Sequence, residues 1–177
     1  MSDTPFILDP YIAKIPDFPK AGITFYDISP VLEEAQLLRH AIDVLCEKAK
    51  IFQPDLIGGI DARGFIFASV FCHRTRGPLV LARKPGKLPG SIKSASYELE
   101  YGKNTLELQS DSIRPGDKCI VIDDLVATGG TVCAVLDMVK QLRATTVAVA
   151  TIIDLPELGG SDLIRDRNIP FYAGVEY

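Results

Sequence analysis

Apolar residues at Leu37, Leu38, Ala41, Ile42, Leu45 and Ala49 recur at helical spacing, which predicts an amphipathic helix over residues 34–50. The short run Leu56-Ile-Gly-Gly-Ile60 then reads as a buried strand, and a turn-like Asp61-Ala-Arg-Gly64 follows it. Residues 65–72 are apolar on almost every side, as in a buried helix. A strand over 78–82 precedes Arg83-Lys-Pro-Gly-Lys-Leu-Pro-Gly90, whose prolines and glycines exclude a helix or central strand and predict a loop. Residues 97–101 and 105–108 alternate around Gly102-Lys-Asn104, the pattern of a hairpin. Cys119–Ile122 reads as a buried strand, a helix starts near Gly129, and 146–153 is the last long apolar strand. Residues 1–33, rich in proline and aromatics, read as irregular or short helical segments. Strands alternating with helices predict an α/β fold: a mainly parallel twisted sheet flanked by helices. Ligands of such sheets bind beyond the carboxyl ends of the strands.

Composition narrows this further. With 177 residues, 47% of them hydrophobic, the chain fits one domain with a full core. No apolar run approaches the roughly 18 residues needed to span a bilayer. The first residues lack the basic and apolar regions of a signal peptide, so a cytoplasmic protein is expected. Cys46, Cys72, Cys119 and Cys133 are far apart and suit free thiols in a reducing compartment. His40 and His73 have no metal-ligand spacing with them.

The net charge of −4 argues against a nucleic-acid binder, but it is unevenly spread. Residues 62–97 hold no acid and seven bases: Arg63, Arg74, Arg76, Arg83, Lys84, Lys87 and Lys93. A segregated basic segment in an acidic protein focuses its field on a small polyanion.

Two strand-to-helix junctions carry candidate chemistry. In Cys119-Ile-Val-Ile-Asp-Asp-Leu-Val-Ala-Thr-Gly-Gly-Thr131, an apolar strand ends in the paired acids Asp123 and Asp124, and small residues then open a helix. Free backbone N–H groups, the helix dipole and the hydroxyls of Thr128 and Thr131 make residues 127–131 a phosphate cradle. The two carboxylates suit vicinal sugar hydroxyls or a ligand-held Mg²⁺, so a phosphorylated ribose satisfies both halves. At the second junction Arg63 offers a planar fork for phosphate oxygens and Gly64 a close backbone approach. Arg83, Lys84 and Lys87 add charge for a second phosphate site. Neither a P-loop nor a dinucleotide-binding glycine pattern is present.

Residues 120–131 resemble the signature of the type I phosphoribosyltransferases, which bind phosphoribosyl pyrophosphate (PRPP). Four further segments, 22–30, 59–67, 83–90 and 96–103, resemble the adenine-specific branch of that family in order and spacing. The resemblance implies that one domain, residues 1–177, carries the family's fold with a small N-terminal hood (1–33) and a flexible catalytic loop (83–104). It implies transfer of the phosphoribosyl group to adenine, yielding AMP, with Mg²⁺ as cofactor and a homodimer as assembly. By resemblance Ala127, Thr128, Gly129, Gly130 and Thr131 hold the 5′-phosphate, and Asp123 and Asp124 the ribose hydroxyls. Arg63, Arg83, Lys84, Lys87 and Tyr101 face the pyrophosphate, and Glu100 is the catalytic residue. Thr24, Phe25, Tyr26 and Leu155 hold adenine, and no protein side chain binds the metal directly. Two positions depart from the family pattern: Tyr26 stands where arginine is usual, and Ala62 where serine is usual. A transferase for another base, or a PRPP-sensing DNA-binding regulator, are the alternative readings. The regulator would need a helix-turn-helix module, which the short segment before the first core helix does not offer.

Overall fold

The computed structural model describes residues 8–99 and 102–177, and the chain falls into two compact units, Met1–Val44 and Leu45–Tyr177. In the first, two short strands, β1 (Ala13–Ile15) and β2 (Phe25–Asp27), pair antiparallel, with Lys14 opposite Tyr26. These residues were expected to be irregular or helical. Prolines 16 and 19 lie between the strands rather than within them, so they shape the connection and leave the pairing intact. Helix α1 (Ser29–Glu33) follows, with Pro30 in its first turn, where a missing N–H is harmless. Helix α2 (Ala35–Ala49) matches the expected 34–50 and buries Leu37, Ala41, Ile42, Leu45, Cys46 and Ala49.

The second unit is built on a five-stranded sheet in the order β4-β3-β7-β8-β9, parallel throughout. Its strands are β3 (Leu56–Ile60), β4 (Leu79–Ala82), β7 (Lys118–Val126), β8 (Thr145–Asp154) and β9 (Phe171–Glu176). Helix α3 (Gly64–Thr75) packs on β3 and β7, and α4 (Gly130–Gln141) on β7 and β8. The expected α/β sheet flanked by helices is what forms. Because β3 leads outward to β4 while β7 leads the other way to β8, the strand order reverses between β3 and β7. That reversal opens a crevice beyond their carboxyl ends.

Several expectations need correction. The strand predicted over 119–122 continues to Val126, because Asp123, Leu125 and Val126 pair with Thr151, Ile153 and Asp154 of β8. Asp123 and Asp124 therefore lie inside a strand, not in the loop after it. Helix α3 is one-sided rather than buried all round: Phe67, Ala68 and Phe71 are wholly buried while Ile66 and Ser69 face outward. The edge strand β9 escaped notice, since it is short, half-buried and interrupted by Gly174. Finally, β5 (Ile92–Leu99) and β6 (Gly102–Gln109) pair with Leu99 opposite Gly102. Residues 102–104 thus belong to a strand, where a turn was expected, and residues 92–99 of the expected loop are strand as well.

The core of this unit gathers Ile60, Leu106, Leu108, Val121, Val135, Val139 and Ile164, all nearly inaccessible. The four cysteines are buried, and burial pushes the Cys119 thiol up to about 12 and that of Cys72 to about 11. Among the described residues no helix is long and apolar enough to cross a membrane.

Candidate active site

The crevice is furnished by the loops that leave β3 and β7. From β7, the chain passes through Ala127 and Thr128 to Gly129, whose φ of +79° places it at the N-cap of α4. No side chain caps this helix end, so its first N–H groups are left to a ligand. A cavity of about 150 Å³ lies here, lined by residues 125–132, among them every residue expected to hold the 5′-phosphate. The glycine has a local cause: a Cβ on Gly129 would lie 2.8 Å from the Cα and 2.9 Å from the carbonyl oxygen of Gly160. Gly160 also donates its N–H to the Ala127 carbonyl at 3.0 Å, and so forms the floor of the loop.

Beside the loop, Asp123 and Asp124 are 7% and 6% exposed. The Asp124 N–H donates to Asp123 Oδ1 at 2.9 Å, which fixes the first carboxyl. Burial pushes Asp123 well above the ordinary carboxylate range, and the charge of Asp124 adds to the rise. Burial raises Asp124 too, with the Arg63 guanidinium opposing it. Arg63 Nη2 stands 2.7 Å from Asp124 Oδ2. The contact is an ion pair without hydrogen-bond alignment, so Asp124 Oδ2 is buried with no hydrogen-bond partner. Two buried carboxylates side by side, one of them balanced by Arg63, fit the hydroxyls of a ligand or a cation that the ligand carries.

Arg63 was expected to face a pyrophosphate; here it is bound to a carboxylate expected to face a ribose. Gly64 likewise has a different reason from the one anticipated. A Cβ there would lie 2.7 Å from Asp123 Oδ1, 2.9 Å from the Ile122 carbonyl and 3.0 Å from Asp123 Cα. The glycine makes room for the protein's own carboxylate and strand. The Asp61–Ala62 peptide in this loop is cis.

The basic loop is tied down at several points. Arg83 Nε lies 3.5 Å from Asp61 Oδ2. The Arg83 guanidinium donates from Nη1 to the Lys87 carbonyl at 3.2 Å. The backbones of Arg83 and Glu107 bridge, and Gly86 N–H donates to Glu107 Oε2 at 3.0 Å. Glu107 was not anticipated as an anchor of this loop, because an alternating strand glutamate gives no hint of its partner. Lys84 and Lys87 are exposed.

The remaining expected residues belong to both units. In the first unit, Phe25 and Tyr26 are half-buried on β2 and Thr24 precedes it, with the Phe25 ring edge-on to Phe18 at 5.2 Å. In the second, Leu155 is half-buried after β8 and donates its N–H to the Val126 carbonyl. Glu100 and Tyr101 lie outside the described residues. Sequence reasoning missed Asp154, Gly160 and Ser161; a second glycine pair after a strand, Gly159-Gly160, was the available signal. A larger cleft of about 580 Å³ opens at the other end of β8, beside Asp137, Lys140 and Arg167, and none of the expected site residues lines it. Among the described residues no group of three or more His, Cys, Asp or Glu side chains could hold a metal ion.

Comparison with known proteins bears on this geometry. The phosphoribosyl transferase domain family matches residues 29–170. An adenine phosphoribosyltransferase of Paracidovorax citrulli is 43% identical over 94% of this chain and 92% of its own length. One from Burkholderia pseudomallei is 42% identical over 99% and 96%. The crystal structure of adenine phosphoribosyltransferase from Thermoanaerobacter pseudethanolicus superposes with a TM-score of 0.91 at 35% identity, covering 96% of this chain and 98% of that one. That of the Saccharomyces cerevisiae enzyme, complexed with an imino-altritol bisphosphate and adenine, gives 0.87 at 32% identity, with 95% and 96% covered. An uncapped helix start and a buried diacid at a switch point, in a chain this similar over nearly its full length, leave one assignment: the protein belongs to the phosphoribosyltransferase family and, within it, to the adenine phosphoribosyltransferases.

Proposed function

We infer that this chain transfers the phosphoribosyl group of PRPP to adenine, giving AMP and pyrophosphate. The observation that carries the reading is the crevice between β3 and β7, where an uncapped helix start and two buried carboxylates stand side by side. Residues 127–131 bind the 5′-phosphate through backbone N–H groups and the hydroxyls of Thr128 and Thr131. Asp123 and Asp124 accept the ribose hydroxyls and orient the anomeric carbon. Arg63, Arg83, Lys84 and Lys87, with Tyr101, bind the leaving pyrophosphate, where negative charge grows in the transition state. Mg²⁺ would be held mainly through PRPP rather than by a side chain of this protein, and would supply further neutralisation of that charge. Thr24, Phe25, Tyr26 and Leu155 hold the base, and Glu100 accepts its N9 proton or orients it. The resemblance extends to a homodimer, which sedimentation equilibrium would test, and to a cytoplasmic location.

The experiment is incubation with PRPP and Mg²⁺ and adenine, hypoxanthine, guanine or xanthine in parallel, with a Glu100→Ala variant alongside. AMP from adenine alone, strongly reduced in the variant, is expected. Product from another base would reassign the specificity to the segment around Tyr26, and no product from any base would sink the enzyme reading.

The Arg63–Asp124 pair makes an opposed prediction for two ligands. Asp124→Asn should weaken PRPP about tenfold, through the lost hydroxyl acceptor. It should tighten inorganic pyrophosphate by about two- to fivefold, because Arg63 is released from a partly exposed ion pair. Titration calorimetry reads both, and weaker binding of both ligands would count against the shared use of Arg63.

The raised carboxyls set a pH dependence. A ribose diol or a cation favours charged Asp123 and Asp124, so binding should release protons and tighten as pH rises through their elevated range. Stability of the free protein runs the other way. A carboxyl whose folded pKa lies above its unfolded value, about 3.9, contributes stability fully below that value and loses it as pH rises through the folded pKa. Calorimetry in two buffers of different ionisation enthalpy checks the proton release, and urea melts across that range check the stability.

A further inference from the structure

Behind the phosphate loop lies a buried polar pair that the reaction does not use. Asp154 and Ser161 are both wholly inaccessible. Burial pushes the Asp154 carboxyl above the ordinary carboxylate range, and the Ser161 hydroxyl and the Leu155 N–H beside it oppose the rise, though neither contact reaches hydrogen-bond geometry. Both carboxylate oxygens and the hydroxyl are therefore buried without a partner. The charges of Arg165 in α5 (Gly160–Arg165) and of Glu176 in β9 act on the carboxyl in opposite directions.

The two residues differ in how firmly they are held. Asp154 ends β8 in register with Val126 on one side and Glu176 on the other, and its carbonyl accepts the Tyr177 N–H at 3.1 Å. Ser161 sits in the first turn of α5, a six-residue helix too short to persist by itself, with Ile164 as its other buried side chain. The residue before Ser161 is Gly160, the floor of the phosphate loop. Three orphan polar atoms weaken a fold relative to an apolar pair of the same shape, so packing alone does not account for them. A directional contact from the fixed sheet to a weakly held helix does account for them.

We propose that Asp154 and Ser161 are positioning residues for the 5′-phosphate: their hydrogen bond, completed when the ligand seats, sets Gly160 against Gly129 and so fixes the aim of the loop N–H groups. The proposal rests on the assignment of residues 127–131 to that phosphate. It concerns ribose 5-phosphate and not pyrophosphate, because Gly160 lies against Val126, Ala127 and Gly129 of the loop assigned to the 5′-phosphate.

The test titrates ribose 5-phosphate and inorganic pyrophosphate separately into the full chain and its variants. Ser161→Ala and Asp154→Ala should each weaken ribose 5-phosphate about tenfold and leave pyrophosphate within about twofold. Asp154→Asn, which keeps shape and a polar head, should restore most of the affinity. Leu56→Ala, a core truncation at the far end of β3, should lower the melting temperature and leave the ratio of the two affinities unchanged. If the Ser161 and Asp154 variants merely melt earlier with the same ratio, the pair is structural only and the proposal falls. Ser161→Ala removes a single oxygen and decides the matter should Asp154→Ala fail to fold. Wild-type protein that binds pyrophosphate but not ribose 5-phosphate would overturn the phosphate assignment itself, and the positioning role with it.

Discussion

Gly129→Ala is expected to lower PRPP affinity by about a hundredfold while the protein still folds. Alanine at a φ of +79° costs about 1–2 kcal/mol in backbone strain. Its methyl would also press on Gly160, 2.8 Å from Cα and 2.9 Å from the carbonyl oxygen. Neither atom can rotate away, so the loop or the floor must shift. A displacement of roughly 1 Å at a positioning element is enough for a loss of that order. The change should appear in the KM for PRPP and in the Kd of ribose 5-phosphate, with pyrophosphate binding nearly preserved. Uniform weakening of every ligand would mean that the loop does not single out one phosphate.

Gly64→Ala should be damaging in both stability and turnover. The added methyl would meet Asp123 Oδ1 at 2.7 Å and the backbone of β7 at 2.9 and 3.0 Å. Because two of these contacts are backbone, a rotamer change of Asp123 cannot relieve them, and α3 must lift from the sheet. Overpacking of this kind costs about 1–3 kcal/mol. Displacing the Asp123 carboxylate, which we propose orients the ribose, should in addition reduce kcat/KM for PRPP by about a hundredfold. Urea denaturation and steady-state kinetics check the two halves. Wild-type stability with wild-type kinetics would show that Gly64 carries neither burden.

The two glycines also mark how far reading the chain could go. Thr-Gly-Gly-Thr131 was recognisable as a helix start with uncapped N–H groups because small residues there leave the backbone open, a local property. Gly64 was assigned to a ligand, whereas it serves Asp123, which is 59 residues away in the chain and adjacent only through the β3–β7 pairing. Likewise Arg63 and Asp124 were each matched to a ligand group, and nothing along the chain indicated that they pair with one another at 2.7 Å.

What the sequence by itself determined was the alternation of strands and helices, the limits of β3, the segregation of bases into residues 62–97, and the helix start of small residues that follows 127. All of these depend on spacing within a few residues, where hydrophobic period, turn chemistry and helix-end electrostatics act directly. Tertiary structure alone decided the order β4-β3-β7-β8-β9, and with it the switch point that brings the Arg63 loop to the Asp123–Asp124 strand. It also extended β7 through the paired acids, since only the neighbouring β8 supplies the hydrogen-bond partners that hold two carboxylates in a strand. Pairing between distant segments is settled by which surfaces bury together, and that is a property of the packed chain.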